Sequence, residues 1–306
     1  MKKADLVLGI YLLAAIIFFI VPIPSFLLDG LLALNIGIAL SILFTALFSR
    51  EALSMSSFPT LLLFTTIFRI SLNVSSTKLI LSKGDAGNVV NTFGNFVGGG
   101  NLVIGIIVFG ILILVQFMVI NKGSERVAEV SARFTLDAMP GKQMAIDADL
   151  NTGAITDEEA KAKRQKIQDE ASFFGAMDGA TKYVKGDAVA GLIITFVNLI
   201  GGLVMGIMMQ GLTPNDALSK YTILTIGDGL CSQIPSLLIS LSTGILVTKV
   251  SKEADIADVL IEQLFSIPKV LYIVGASMCF LGIVTPLSTP IFVAYGAAFL
   301  AAGHSI

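Results

Sequence analysis

The chain has 306 residues, of which 55% are hydrophobic and only 14% charged, and its mean hydropathy is +0.86; an ordinary soluble domain, with about 25% charged residues, is excluded. One histidine (His304) and two cysteines (Cys231, Cys279) are too few for a Cys/His zinc site or a disulfide scaffold. A net charge of -2 and a pI near 5.5 leave no basic footprint for nucleic acid.

A membrane-spanning helix needs about 20 mostly apolar residues, and the charge-free runs supply eight such segments in chain order. Leu6–Leu28 is the first. Lys2 and Lys3 before it imitate a secretion signal, but the stretch is too long and no small-residue cleavage site follows, so it reads as a retained anchor. Gly30–Ser49 follows the lone Asp29. The third segment, Phe58 to about Ile80, is interrupted by Arg69, and Asn101–Ile120 is the fourth. Ala188–Gln210 and Tyr221–Thr248 come next, the latter containing Asp228. Val270–Ile306 carries no charge and is long enough for a hairpin bent at Pro286 and Pro290. Its last arm, Ile291–Ile306, is short, and the chain stops inside or just beyond it, as a piece of a longer protein would.

Residues 121–187 hold 22 of the 42 charged side chains. With the N-terminus in the cytoplasm, 16 Lys and Arg fall on the cytoplasmic side: Lys2, Lys3, Arg50, ten in 121–187, Lys249, Lys252 and Lys269. Only Lys78, Lys83 and Lys220 fall outside, an asymmetry that places both termini in the cytoplasm. The sequence thus reads as an all-α membrane protein of about eight transmembrane helices. A small, mainly helical cytoplasmic insertion lies between spans four and five, giving segments 1–120, 121–187 and 188–306.

Within the insertion, Pro140-Gly141 is a turn signal. Thr156-Asp-Glu-Glu159 fits a capping box, and a helix from Asp157 to about Lys185 follows from it, with Ala160, Ile167, Ala171 and Phe174 at helical spacing. That stripe is expected to dock on the membrane domain or a neighbouring subunit. Asp147-Ala-Asp149-Leu-Asn151-Thr-Gly153 imitates a calcium loop, but the sixth position, where a glycine is required, is Thr152, so it reads as an Asp-rich turn and no metal site is assigned. Gly98-Gly99-Gly100 lacks the Lys-Ser/Thr of a phosphate loop and reads as a bend. Gly202 and Gly206 form a GxxxG step that permits close helix approach.

Ionisable residues in a membrane span are costly, and each is a functional candidate. Asp228 heads a stripe continued by Ser232, Ser236, Ser240 and Gly244 at i+4 steps; helix-packing glue is the competing reading for the serines. Arg69 belongs to a similar stripe, Thr65, Arg69, Asn73 and Thr77, 11 residues or roughly 17 Å in from Phe58. An Arg69–Asp228 ion pair is expected, the alternative being an interfacial segment from which Arg69 snorkels. Asp187 opens the fifth span, where it fits either a helix N-cap or a proton acceptor at the cytoplasmic mouth.

The run Lys122-Gly-Ser-Glu-Arg126-Val-Ala-Glu-Val-Ser-Ala-Arg133-Phe-Thr-Leu-Asp137-Ala-Met-Pro-Gly-Lys142-Gln-Met-Ala-Ile-Asp147-Ala-Asp149 resembles the signature of the FHIPEP family, export-gate proteins of bacterial flagella and of virulence injectisomes. Further blocks stand in family order: Phe58-Pro-Thr with Phe68-Arg69-Ile-Ser-Leu-Asn73, Gly175-Ala-Met-Asp178, Lys185-Gly-Asp187-Ala and Thr222-Ile-Leu-Thr-Ile-Gly-Asp228-Gly. Phe134-Thr-Leu-Asp-Ala-Met139 leans toward the flagellar branch.

The resemblance implies a ring of copies, nine in the family, in the bacterial inner membrane. Such a ring couples proton motive force to export alongside other export-gate membrane proteins. It also implies a soluble C-terminal domain, lacking here, that receives chaperones and substrates. Under it, Asp187 leans toward proton coupling. Arg126, Arg133, Asp137 and Lys142 contact adjacent subunits and export components rather than forming a merely solvated face. Asp178 and Lys182 stand at the i,i+4 spacing of a helix-stabilising pair, which is their alternative role. No cofactor is expected, and no nucleophile–base pair points to an enzyme. Two other functions compete: a small-solute secondary transporter, and a structural ring scaffold that conducts no ion.

Overall fold

The computed structural model describes residues 3–21, 23–49, 51–249, 256–284 and 289–305. Among them every regular element is helical. Lys2, Arg50, Lys252 and Pro286, used above for topology, lie outside the described residues. The chain divides into two units, Met1–Val250 and Ser251–Ile306.

In the first unit, α1 (Lys3–Ile20) and α2 (Ser25–Phe48) meet at a proline-punctuated segment rather than at Asp29, so the first span is shorter than expected. Pro24 is extended (φ −62°, ψ 146°) and supplies no amide to continue a helix. Asp29 sits inside α2, where its carboxylate accepts hydrogen bonds from Asn88 N and Val89 N, both at 2.9 Å. It caps the first turn of α4 (Asn88–Gly98), a short helix absent from the sequence reading. Gly87 makes this possible: its φ is +97°, and a Cβ there would lie 2.5 Å from Asp29 Oδ1. α3 (Phe58–Lys83) precedes α4, and α5 (Leu102–Val115) follows the Gly98–Gly100 bend.

From α5 the chain passes through a π-helical turn, Gln116–Asn121, into α6 (Lys122–Asn151). Pro140-Gly141 makes no turn: α6 runs through Pro140. Met139, Ile146 and Leu150 of α6 pack with Ala160 and Ile167, which holds the helix on both sides of the proline. The reversal comes at Gly153 (φ +72°). Asp147 and Asp149 of the calcium-like stretch lie on α6 and pair with Arg164 and Lys163.

α7 (Asp157–Met208) begins at the expected capping box: Glu159 N donates to Thr156 Oγ1 at 3.3 Å, and Thr156 N to Glu159 Oε2 at 2.8 Å. It does not stop near Lys185. Its 52 residues run as one helix from the hairpin into the fifth span, a length of about 78 Å. Asp187 is therefore an interior residue and not an N-cap. The stripe of α7 serves two neighbours: Ala160 and Ile167 pack on α6, while Phe174 joins a core with Phe58, Leu62 and Ile239.

α8 (Pro214–Thr248) completes the unit. Five helical runs, Ser25–Phe48, Phe58–Lys83, Leu102–Asn151, Asp157–Met208 and Pro214–Thr248, are long and apolar enough to cross a membrane. Three shorter apolar helices join them, Leu8–Ile20, Pro268–Val284 and Pro290–Ser305, as the eight sequence segments require. The apolar windows of α3 and α8 are 61% and 56% buried, against 11% for α7 and 17% for Leu102–Asn151. α3 and α8 are thus the inner helices, and the apolar faces of α5 and α7 are exposed on the outside of the single chain. Small residues set these contacts. A Cβ on Gly227 would meet Val90 O at 1.9 Å, and one on Gly202 would meet the Tyr221 ring at 2.2 Å, so the GxxxG step is a packing device.

The loops of this unit sort to two ends. Lys249 Nζ donates to Leu47 O (3.0 Å), and Lys166 pairs with Glu51 (3.9 Å), which gathers those loops beside the hairpin. At the other end Lys78 Nζ donates to Ile20 O (3.2 Å) and Lys220 Nζ to Gln210 Oε1 (3.2 Å).

The second unit comprises α9 (Ile256–Phe265), α10 (Pro268–Val284) and α11 (Thr289–Ser305). α10 and α11 form a close antiparallel hairpin, in which a Cβ on Gly275 would meet Gly296 O at 2.8 Å, and one on Gly296 would meet Gly275 O at the same distance.

Candidate functional site

Arg69, in mid-span on α3, is 1% exposed, and Asp187 on α7 is 5% exposed. Arg69 Nε donates to Asp187 Oδ2 at 2.7 Å, and the Nη2 of the same guanidinium also contacts Oδ2. The arginine is thus paired with Asp187 and not with Asp228. The depth of Arg69 along α3 is legible in sequence, but the neighbour it faces depends on how α7 packs. A buried pair of this kind is costly to break, because removal of one partner strands the other charge. Asp187 Oδ1 makes no hydrogen bond to protein.

Asp228 on α8 is 4% exposed, and its Oδ2 accepts from Asn198 Nδ2 at 2.8 Å. Asn198 lies 11 residues, about three turns, beyond Asp187 on α7, so both project from one face of that helix, roughly 17 Å apart along its axis. The sequence reading missed Asn198. The available signal was an amide in an apolar span at helical spacing from an acid.

The two polar stripes meet. Asn73, one turn from Arg69, donates to Ser232 Oγ at 2.9 Å, one turn from Asp228. Ser240 Oγ donates to Asn121 Oδ1 at 2.9 Å, and Gln116 Nε2 to Gln233 O at 3.3 Å, tying the π turn to α8. Ser124 Oγ donates to Ser240 O at 2.8 Å. Helix-packing hydrogen bonds therefore account for Ser232 and Ser240, but Ser236 Oγ is buried without a protein partner. π turns are frequent at functional sites, and this one supplies two amides that the sequence reading did not single out.

Between these helices lies a cavity lined by Asp187, Asp228, Asn73, Gln116, Asn121 and Ser236, among others. It leaves about 40 Å³ for the centres of water molecules. Both buried carboxylates face it.

The signature residues lie elsewhere, along the hairpin. Arg126 pairs with Glu129 (2.8 Å) and Arg133 with Asp137 (3.8 Å), all four well exposed. Lys142 joins Glu170 across the hairpin at 2.7 Å, and Lys185 joins Glu125 at 2.9 Å. Asp178 and Lys182 form the expected i,i+4 pair at 2.7 Å. None of these six signature residues reaches the cavity.

The profile of the FHIPEP family matches residues 15–306. The chain is 53% identical over 287 residues to the flagellar biosynthesis protein FlhA of Bacillus subtilis, covering 94% of this chain and 42% of that protein. It is 48% identical over 286 residues to FlhA of Salmonella typhimurium, with 92% of this chain and 41% of the relative covered. It is also 48% identical over 293 residues to the low calcium response locus protein D of Yersinia pestis, with coverages of 95% and 42%. The chain spans less than half the length of the curated relatives it matches. No solved structure matches it.

Proposed function

Because the chain belongs to the FHIPEP family, we propose that it is the membrane part of a type III protein-export component. In this reading copies assemble into a ring in the bacterial inner membrane and couple proton entry to export of flagellar or virulence proteins. The hairpin and both ends of the chain lie in the cytoplasm, in keeping with the Lys/Arg asymmetry. Neighbouring copies and other export-gate proteins meet the signature face of α6. Chaperones and exported proteins engage the part of the longer relatives that this chain does not span.

The observation that carries this reading is the buried Arg69–Asp187 pair, which joins α3 to α7 and faces a polar cavity. Asp187 is the proton acceptor and Arg69 its counter-ion. A proton on Asp187 cancels the charge that holds Arg69, loosens the α3–α7 contact, and so changes the seat of the hairpin. The cavity also speaks against a small-solute transporter, since solute pockets run to about 300–1,000 Å³ and this one has room only for water.

The test uses full-length protein carrying Arg69→Gln together with Asp187→Asn, which keeps two hydrogen-bonding amides and removes both charges. It is expected to assemble at normal yield, yet to lose export and proton flux in reconstituted vesicles. Normal export by that variant would show the pair to be a structural lock in a passive scaffold and would end the proton reading.

A further inference from the structure

We infer that the cavity between α3, the π turn, α7 and α8 is a hydrated site, holding a short file of ordered water that ends on Asp187. Three buried polar atoms lack a protein partner and belong to residues that line this one cavity: Asp187 Oδ1, Asn121 Nδ2 and Ser236 Oγ. Their residues are 5%, 5% and 4% exposed and come from three different elements, α7, the π turn and α8. Left dry, each such atom costs about 1–3 kcal/mol. Their chemistry is complementary through water: the carboxylate oxygen accepts, the amide nitrogen donates, and the hydroxyl does both.

The space fits. A water needs roughly 10–15 Å³ of centre-accessible volume and two to four polar partners, so the 40 Å³ here holds about three. Asn73 and Gln116 add polar lining, while Ile113, Phe117 and Leu192 close the remaining wall. Part of the site is already braced: Asn121 Oδ1 is occupied by Ser240, which fixes the amide so that its nitrogen is the free end.

The role of this water rests on the proton reading above; its presence does not. With Asp187 as acceptor, a proton handed to the first water is matched by one released from the last. Each water gains one proton and loses one, and no net charge is left in the file. Asp228, held by Asn198, lines the same cavity.

Hydroxyl radicals generated from water by a synchrotron X-ray pulse oxidise side chains beside ordered internal water. In full-length protein in nanodiscs, Leu192 and Ile113 are expected to be oxidised well above Ile193 and Ile107, which lie outside the cavity with 60% and 56% exposure. Ser236→Val, which fills the cavity and removes its hydroxyl, is expected to abolish the excess, whereas Ser236→Ala keeps it. Oxidation of Leu192 no greater than that of Ile193 in the unmodified protein would overturn the inference, whatever the variants do. The two proposals fail separately. A labelled cavity beside normal export by the Arg69→Gln, Asp187→Asn protein leaves the water and removes the proton role; an unlabelled cavity beside lost export does the reverse.

Discussion

Replacing Asp187 with Asn while Arg69 stays in place strands a guanidinium that is 1% exposed and donates its charge-assisted hydrogen bond to a single carboxylate oxygen. Breaking a buried pair by removal of one partner costs about 3–5 kcal/mol. Arg69→Gln strands the carboxylate and falls in the same range. The double variant has no stranded charge, so most of that loss is expected to return; with about 1 kcal/mol left, the coupling free energy is at least about 5 kcal/mol, against the roughly 0.5 kcal/mol of independent sites. Cys231 is buried and Cys279 half-buried, so a thiol-reactive dye on a thermal ramp reports unfolding. At about 2–4 °C per kcal/mol for a chain above 150 residues, each single variant is expected to melt at least about 6 °C below the parent, and the double variant within a few degrees of it. Additive losses would show that Arg69 and Asp187 are not energetically paired, and the argument from burial would fail with them.

The same assay separates tight glycines from free ones. Gly227→Ala, whose Cβ would lie 1.9 Å from Val90 O, is expected to lower the midpoint, whereas Gly30→Ala, with nothing within 4 Å, is expected to gain up to about 1 kcal/mol from helix propensity. Asp29→Ala removes the acceptor for Asn88 N and Val89 N, so amide exchange at the start of α4 is expected to rise about 5–30-fold for a lost cap of about 1–2 kcal/mol. Thr156→Ala is expected to cost about 0.5–2 kcal/mol, read as faster exchange at Glu159 N with Asp187 unaffected. Arg133→Ala is expected to leave the melt within about 1 kcal/mol, since its pair with Asp137 is 3.8 Å long and exposed; a large loss would show that α6 draws stability from that face.

The sequence was most legible where one local rule decides the outcome. Hydrocarbon thickness demands an apolar length, so the spans stood out, and the capping box at Thr156 is a contact between residues three apart. The i+4 polar stripes on α3 and α8 were visible for the same reason, and they do face each other through Asn73 and Ser232. What escaped depended on neighbours. Asp187 has the residue type of a cap, and nothing local says that α7 continues through it, since the arginine that neutralises it is 118 positions away. Pro140 breaks a helix by local rules, and only the packing of Ile146 and Leu150 against α7 carries α6 past it. α4 carries no charge and is too short to register as a span, so its acidic cap in α2 went unread along with it.

The absence of any loop between hairpin and membrane, for both α5–α6 and α7, has a mechanical meaning. Seventeen residues separate Asp157 from Phe174, where α7 enters the core with Phe58 and Ile239, a stiff arm of about 26 Å, so a tilt of about 5° there swings the hairpin tip by about 2 Å. The reverse holds as well: a load applied at the tip reaches that core along the same unbroken helix, because no flexible joint stands between them to absorb it. Two rods, clamped together by Lys142–Glu170 and Lys185–Glu125, tilt as one body, so a turn at their base is carried to the tip undiminished.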